Sequence, residues 1–316
     1  MDFFARLDDL AVLRISGKDA IDFLHGQLSN DISGMGPQDA RLAAYCNPKG
    51  RMLGNLVLWR ESPEAGSALL ALVKADVLEA MLKRLRMFVL RSKVTIEHTT
   101  LAAFGISTHA APEPAWSIRQ LGSYTVISAP VAPDHGARWW LVAEPQTDIS
   151  QIKAEIGSEL VARDAQAWHS QDIEAGLGWV EQRNVELFIP QSMNYDLNGG
   201  VSFTKGCYPG QEVVARAHFR GAVKRRGVPA LCRLSGEVAL HAGMDIFDAK
   251  RPGSPAGRII NAARAKAEDG QPQAWKLFME VNLNDIETAD FRALSAEGPE
   301  ITLLPLPYSL EPTADN

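Results

Sequence analysis

Apolar residues recur along the chain in two rhythms, one of strands and one of helices. Residues 10–15 read as a short strand, and Ser16-Gly-Lys-Asp19 behind them has the spacing of a capping box. In the helix that follows, Ile21, Leu24, Leu28 and Ile32 share one stripe, and Gly34 and Gly36-Pro37 end it. His25 on that helix reads as a surface or core histidine rather than a catalytic one. Residues 41–60 read as a β-hairpin turning at Asn47-Pro48-Lys49-Gly50. A strand over 68–73 precedes a helix over 75–90. The helix carries a core stripe of Val77, Leu78, Met81, Leu82, Leu85, Phe88 and Val89. Further strands are predicted at 94–97, 101–106, 124–128 and 138–143, with a surface loop at 109–114. Helices are predicted over 150–161 and 163–176.

Residues 188–203 are rich in turn formers, and a connection of that length is usually functional. After Arg226 the texture changes to short strands at 227–234, 244–247, 257–261, 275–283 and 301–304. Turns such as Arg251-Pro-Gly-Ser-Pro255 and Asp269-Gly-Gln-Pro272 separate them, a spacing that suits a small β-barrel. The whole order predicts an α+β chain with mixed or antiparallel sheets, divided into 1–223 and a barrel over 224–316.

Composition narrows the classes. At 316 residues with 46% hydrophobic content, two or three domains with sizeable cores are expected. Three widely spaced cysteines, Cys46, Cys207 and Cys232, argue against a disulfide framework or a structural zinc site, and no stably bound metal is expected. The N-terminus has acids where a signal peptide needs cations, and no apolar run reaches membrane-spanning length. A cytoplasmic monomer without a membrane partner is the expectation.

Charge is uneven. The chain is at −6, yet between Glu212 and Glu237 there is no acid and there are six cations: Arg216, Arg220, Lys224, Arg225, Arg226 and Arg233. Such a field suits a carboxylate-bearing small molecule, RNA or an acidic protein face, or else a solvated strand edge. Phe219 is the main aromatic there, which is sparse for stacking on bases. Just upstream, Lys205-Gly-Cys207-Tyr-Pro-Gly210 places a thiol in a tight turn. Lys205 and Arg216 would favour its thiolate and Glu212 would oppose it. The other reading is a small buried hydrophobe. Trp168 is either core or an aromatic wall for a flat heterocycle. Glu174 is either solvated or a partner for paired ring N–H donors.

The run from Lys205 to Arg226 resembles the signature of the YgfZ family, within the wider superfamily of glycine-cleavage T-proteins (aminomethyltransferases). Phe23-Leu-His-Gly-Gln-Leu-Ser-Asn-Asp31, Cys46-Asn-Pro-Lys-Gly-Arg51, Trp168 with Ile173-Glu-Ala-Gly176, Ile189-Pro-Gln191 through Asn194, and Leu306-Pro-Tyr-Ser-Leu-Glu311 are similar to further family segments. The resemblance implies a three-domain ring: two interleaved α+β domains and a C-terminal antiparallel β-barrel around a folate site. It implies tetrahydrofolate or a derivative as cofactor. It also implies iron–sulfur client enzymes or assembly proteins as partners, one client thiomethylating tRNA, so that the link to tRNA is indirect. By the same resemblance Cys207 is the functional cysteine, modulated by Lys205 and Arg216. Trp168, Glu174, Leu10, Asn30, Asp31, Tyr208, Gln211 and Arg220 are then the expected folate contacts.

Two departures matter. Gly54-Asn55 stands where the T-proteins carry an acidic pair, which argues against authentic aminomethyl transfer. Leu10 stands where some relatives have a second tryptophan. A folate-dependent one-carbon transferase or demethylase, with Asp31 as substitute carboxylate, is the alternative, and a direct RNA-binding module is a third reading.

Overall fold

The computed structural model describes residues 2–61, 68–122, 124–157, 159–221, 223–235, 238–265 and 272–310. In chain order the elements are β1 (Phe3–Arg6), β2 (Leu10–Ser16), α1 (Ala20–Gln27), β3 (Ala40–Cys46), β4 (Met52–Arg60), β5 (Leu69–Lys74), α2 (Ala75–Val89) and β6 (Thr95–His98). Then come β7 (Ala102–Ser107), β8 (Ile118–Leu121), β9 (Tyr124–Ser128), β10 (Arg138–Ala143), α3 (Ile149–Ile156), β11 (Val161–Arg163), α4 (Ala165–Glu174) and α5 (Gln211–Phe219). The C-terminal part contributes β12 (Arg225–Leu234), β13 (Asp245–Asp248), β14 (Gly257–Arg264), β15 (Gln273–Asn282), β16 (Phe291–Ala293) and β17 (Ile301–Leu303).

These strands form three sheets. One has the order β11-β1-β7-β10-β9-β8, and a second the order β3-β4-β5-β2-β6. The chain therefore begins in the first sheet, leaves it to build the second, and returns at β7. The third sheet, β16-β13-β14-β15-β12-β17, is antiparallel throughout. A bridge between Arg292 and Glu300 draws its two edges together, so that it nearly closes into a barrel. The chain is thus α+β, as its element order predicts.

Local differences have physical causes. The Ser16–Asp19 capping box does not form: Asp19 precedes α1, but its carboxylate accepts the Lys93 N–H instead. Leu28 and Ile32 are buried although α1 ends at Gln27, because the chain beyond the helix still runs over the same core. The α2 stripe is buried from Val77 to Leu85, whereas Phe88 in its last turn is exposed. The helix expected over 150–161 stops at Ile156, where Gly157 takes a left-handed conformation. Val161–Arg163 then pairs in parallel with β1. Residues 188–203 form a largely buried connector. Gln191 donates to Val214 O, Tyr195 to Gly178 O, and Asn194 exchanges hydrogen bonds with Gly227. Residues 269–271 of one expected turn and Glu311 of the C-terminal motif lie outside the described residues.

The largest core joins all three sheets through α4, with Val12, Trp140, Trp168, Ile260 and Phe278 among its members. Gly105 of β7 is required by this packing. A Cβ there would stand 2.3 Å from the Trp168 ring, so the missing side chain lets the indole lie directly on the sheet. Among the described residues no helix is long and apolar enough to cross a membrane.

Candidate functional site

A cavity of about 750 Å³ opens along one face of α4. Its lining draws on the β1–β2 turn (Asp9), the end of β5 (Lys74), the segment after α4 (Trp179 and Glu181) and β14 (Asn261). From α4 itself come Ala165, Gln166, His169, Asp172 and Ile173. That spacing is one helical stripe, so a single helix face looks into the space while its neighbours are turned into the core. Because all three sheets contribute, the cavity exists only when they are assembled.

Its deep wall is a charged network. His169 Nε2 lies 3.0 Å from Asp9 Oδ1, and His169 Nδ1 lies 3.6 Å from Asp172 Oδ2. Asp172 accepts from the Arg138 guanidinium at 2.6 Å and from the Trp179 indole N–H at 3.2 Å. Arg138 is wholly buried, donates to Trp168 O and Pro130 O, and lies 4.0 Å from the centre of the Trp168 ring. Lys74 is paired with Asp9 at 2.5 Å and stands 4.0 Å from Glu181. Asn261 donates to Glu181 Oε1 at 2.7 Å.

The network sets the protonation of its members. Burial alone would raise Asp9, but the hydrogen bond and charge of His169, with Lys74, outweigh it and hold the carboxyl well below the usual range. Burial would likewise raise Asp172, and Arg138 and His169 hold it down. Burial and Lys74 work to lower His169, yet its two carboxylate partners carry it upward. Lys74 also moves up, Asp9 and Glu181 overcoming the burial that would lower it. Glu181 goes the other way: burial raises it in spite of Lys74 and Asn261. The cavity therefore offers a fixed imidazole–carboxylate pair, an ammonium group, and a carboxyl group whose burial favours its neutral form.

The residues picked out by sequence lie elsewhere, in two places. Trp168 and Glu174 are on α4 but off the cavity stripe. Trp168 is fully buried against Trp140 and Arg138, its indole N–H unpartnered, and Glu174 is ion-paired with Lys276 of the barrel. Leu10 is core, and Asn30 donates to Leu42 O and Gly199 O.

The second group gathers beside α1. Lys205 Nζ donates to the His25 and Leu28 carbonyls at 2.6 and 3.0 Å and lies over the Tyr208 ring, while Asp31 stands 3.2 Å from His25. Burial pulls Lys205 down to about 8, against Asp31 and Cys207, which favour its charged form. The turn holding Cys207 docks on the hairpin turn: a Cβ on Gly210 would meet Asn47 O at 2.4 Å and Gly50 Cα at 2.7 Å. Cys207 is exposed, whereas Cys46 and Cys232 are buried and pushed up to about 12 and about 11. Arg216 is exposed in the last turn of α5, Arg220 is exposed at its C-cap, and Gln211 opens that helix. None of this second group lines the cavity, so the structure does not bring the thiol and the cavity into one space.

Asp9, Lys74, His169, Glu181 and Asn261 were not expected from the sequence. A signal was present for two of them. Lys74 ends the run Leu-Leu-Ala-Leu-Val-Lys, where an ammonium on a buried strand needs a partner, and His169 recurs with Asp172 at helical spacing.

No protein-family model matches the chain. It is 32% identical over 320 residues to the tRNA-modifying protein YgfZ of Shigella sonnei (strain Ss046), covering 96% of this chain and 93% of that protein. The tRNA-modifying protein YgfZ of Escherichia coli O157:H7 gives the same identity and coverage. Among solved structures, the glycine cleavage system aminomethyltransferase T from Bartonella henselae superposes with a TM-score of 0.70 at 12% identity, over 97% of this chain and 86% of that one. The fold is therefore that of the T-proteins, and identity sustained over nearly the full length of both chains shows that the protein belongs to the YgfZ family.

Proposed function

We propose that the protein binds tetrahydrofolate or a derivative in the cavity beside α4 and serves as an accessory to iron–sulfur enzymes, including one that modifies tRNA. In this reading the three sheets are three domains closed in a ring, with the boundary near residue 224, and the protein works in the cytoplasm. The observation that carries the proposal is the cavity itself, with charged and polar groups from all three sheets and α4 converging on a space of about 750 Å³. The names of the relatives point towards tRNA modification, and the fold is shared with an aminomethyltransferase.

The donor set suits a pterin. Glu181 and Asn261 offer an acceptor and an amide to the amino and ring N–H edge, and the Trp179 indole supplies an apolar wall. Arg6 and Arg163 belong to the lining and offer guanidinium groups to folate carboxylates. Tetrahydrofolate, when bound, supplies ring and side-chain nitrogens that carry one-carbon units. Trp168 and Glu174 act from behind the wall, the first by holding Arg138 and hence Asp172, the second by fixing α4 to the barrel. Cys207, the exposed thiol, is the group offered to client proteins.

A one-carbon transferase or demethylase is the second reading, favoured by one observation: the cavity holds His169 against Asp9, a pair able to move a proton. Asp31 does not line the cavity, and Asn55 is buried with its carbonyl oxygen bound to Val180 N–H.

Tetrahydrofolate titration followed by tryptophan fluorescence tests the proposal. The wild type should saturate, and Glu181→Gln should bind about tenfold or more weakly, the scale of a lost hydrogen bond to a charged group. Saturation with equal affinity in the variant would remove Glu181 from the site.

A further inference from the structure

The basic run after Glu212 is not absorbed by the cavity. The structure divides its cations. Arg226 is buried against Asp196, and Arg225 reaches Glu280 at 3.4 Å. Arg216, Arg220 and Lys224 are exposed, and among the described residues none of the three has an ion-pair partner. Arg216 lies in the last turn of α5 with Phe219, 63% exposed, three residues on at the helix end, and Arg220 follows directly as the C-cap. The acid of that helix, Glu212, stands one turn nearer its start.

Phe219 is held in place from beneath. Phe203 and His218 stack at 3.7 Å with their planes 13° apart, and both meet Phe219 edge-on, at 5.6 and 4.7 Å between centroids. An exposed ring anchored by two others, flanked by free cations on a protein of net charge −6, is the arrangement that stacks a base and neutralises the phosphates beside it. A single exposed ring suits unstacked nucleotides, as in a loop or an end, rather than a duplex.

We infer that the C-terminal end of α5, with Phe219 as stacking platform, Arg216 and Arg220 as phosphate partners and Lys224, four residues further along the chain, as a third, is a docking surface for a single-stranded segment of RNA. The contact with tRNA is then direct. The inference does not depend on the folate reading, and its test is run without folate, so the failure of either leaves the other standing.

Fluorescence anisotropy of a labelled oligouridine measures it, between about 50 and 200 mM salt. The wild type should bind with a log–log salt slope of roughly −2, for three phosphates on a single strand. Phe219→Ala should weaken binding about tenfold while leaving the slope unchanged. Arg216→Ala with Arg220→Ala should bring the slope to about −0.7. All three side chains are exposed, and circular dichroism checks that the variants keep the fold. Absence of binding at the lowest salt would overturn the inference. So would a labelled RNA duplex binding as tightly as the single strand. Polyglutamate competing as well as RNA, with Phe219→Ala silent, would also overturn it and point to an acidic protein face.

Discussion

His169 sits between two carboxylates on a buried helix face, and that placement makes it a reporter of the whole network. Its partners bind the imidazolium more tightly in the folded chain than in the unfolded one, so its pKa lies above the unperturbed 6.5. The stability it contributes is fully present below pH 6.5 and is lost as pH rises through the folded value. Asp9 and Asp172 work in the opposite direction. Their contribution is present above about pH 3.8, the unperturbed value, and is lost as pH falls through their folded values. Melting temperatures at a series of pH values, for the wild type and His169→Gln, resolve the effect. The wild type should lose stability relative to the variant as pH rises beyond 6.5. A difference between the two proteins that does not change with pH would show that His169 is not charged in the fold.

At the scale of elements, what could be read from the sequence depended on length and on apolar content. β2, β4, β5, β10 and α2 carry long apolar runs or stripes and are visible. β1, β8, β11 and β16 have three or four residues, too few to show a period, and exist because neighbouring strands complete their hydrogen bonds. α5 buries little besides Val214, so it has no apolar stripe to reveal it. The cavity face of α4 was hidden for a related reason. Its polar positions are Gln166, His169 and Asp172, and a polar helix face reads as solvated until the opposing groups, Asp9 of the β1–β2 turn, Lys74 of β5 and Asn261 of β14, are in place. Trp168 was legible as a large aromatic, but which way it points is fixed by one residue of helical rotation. The Gly206–Gly210 turn was legible through its glycines and proline, and one of the glycines, Gly210, has a steric cause. Gly210 has φ +83° and abuts the hairpin turn, so Gly210→Ala should lower stability by about 1–3 kcal/mol in a denaturant titration. An unchanged midpoint would mean that the two turns are not pressed together.

For the whole molecule, the central claim is that three separately built sheets make one ligand cavity along α4. The N-terminal sheets give Asp9 and Lys74, the helix gives His169 and Asp172, and the barrel gives Asn261, so none of them holds the site alone. A ligand bound there should tighten all three at once. Hydrogen–deuterium exchange with and without tetrahydrofolate locates that tightening along the chain. The account predicts added protection in α4, in the segment around Trp179 and Glu181, and around Asn261 of β14. Protection absent from these segments, or confined to the turn around Cys207, would contradict it.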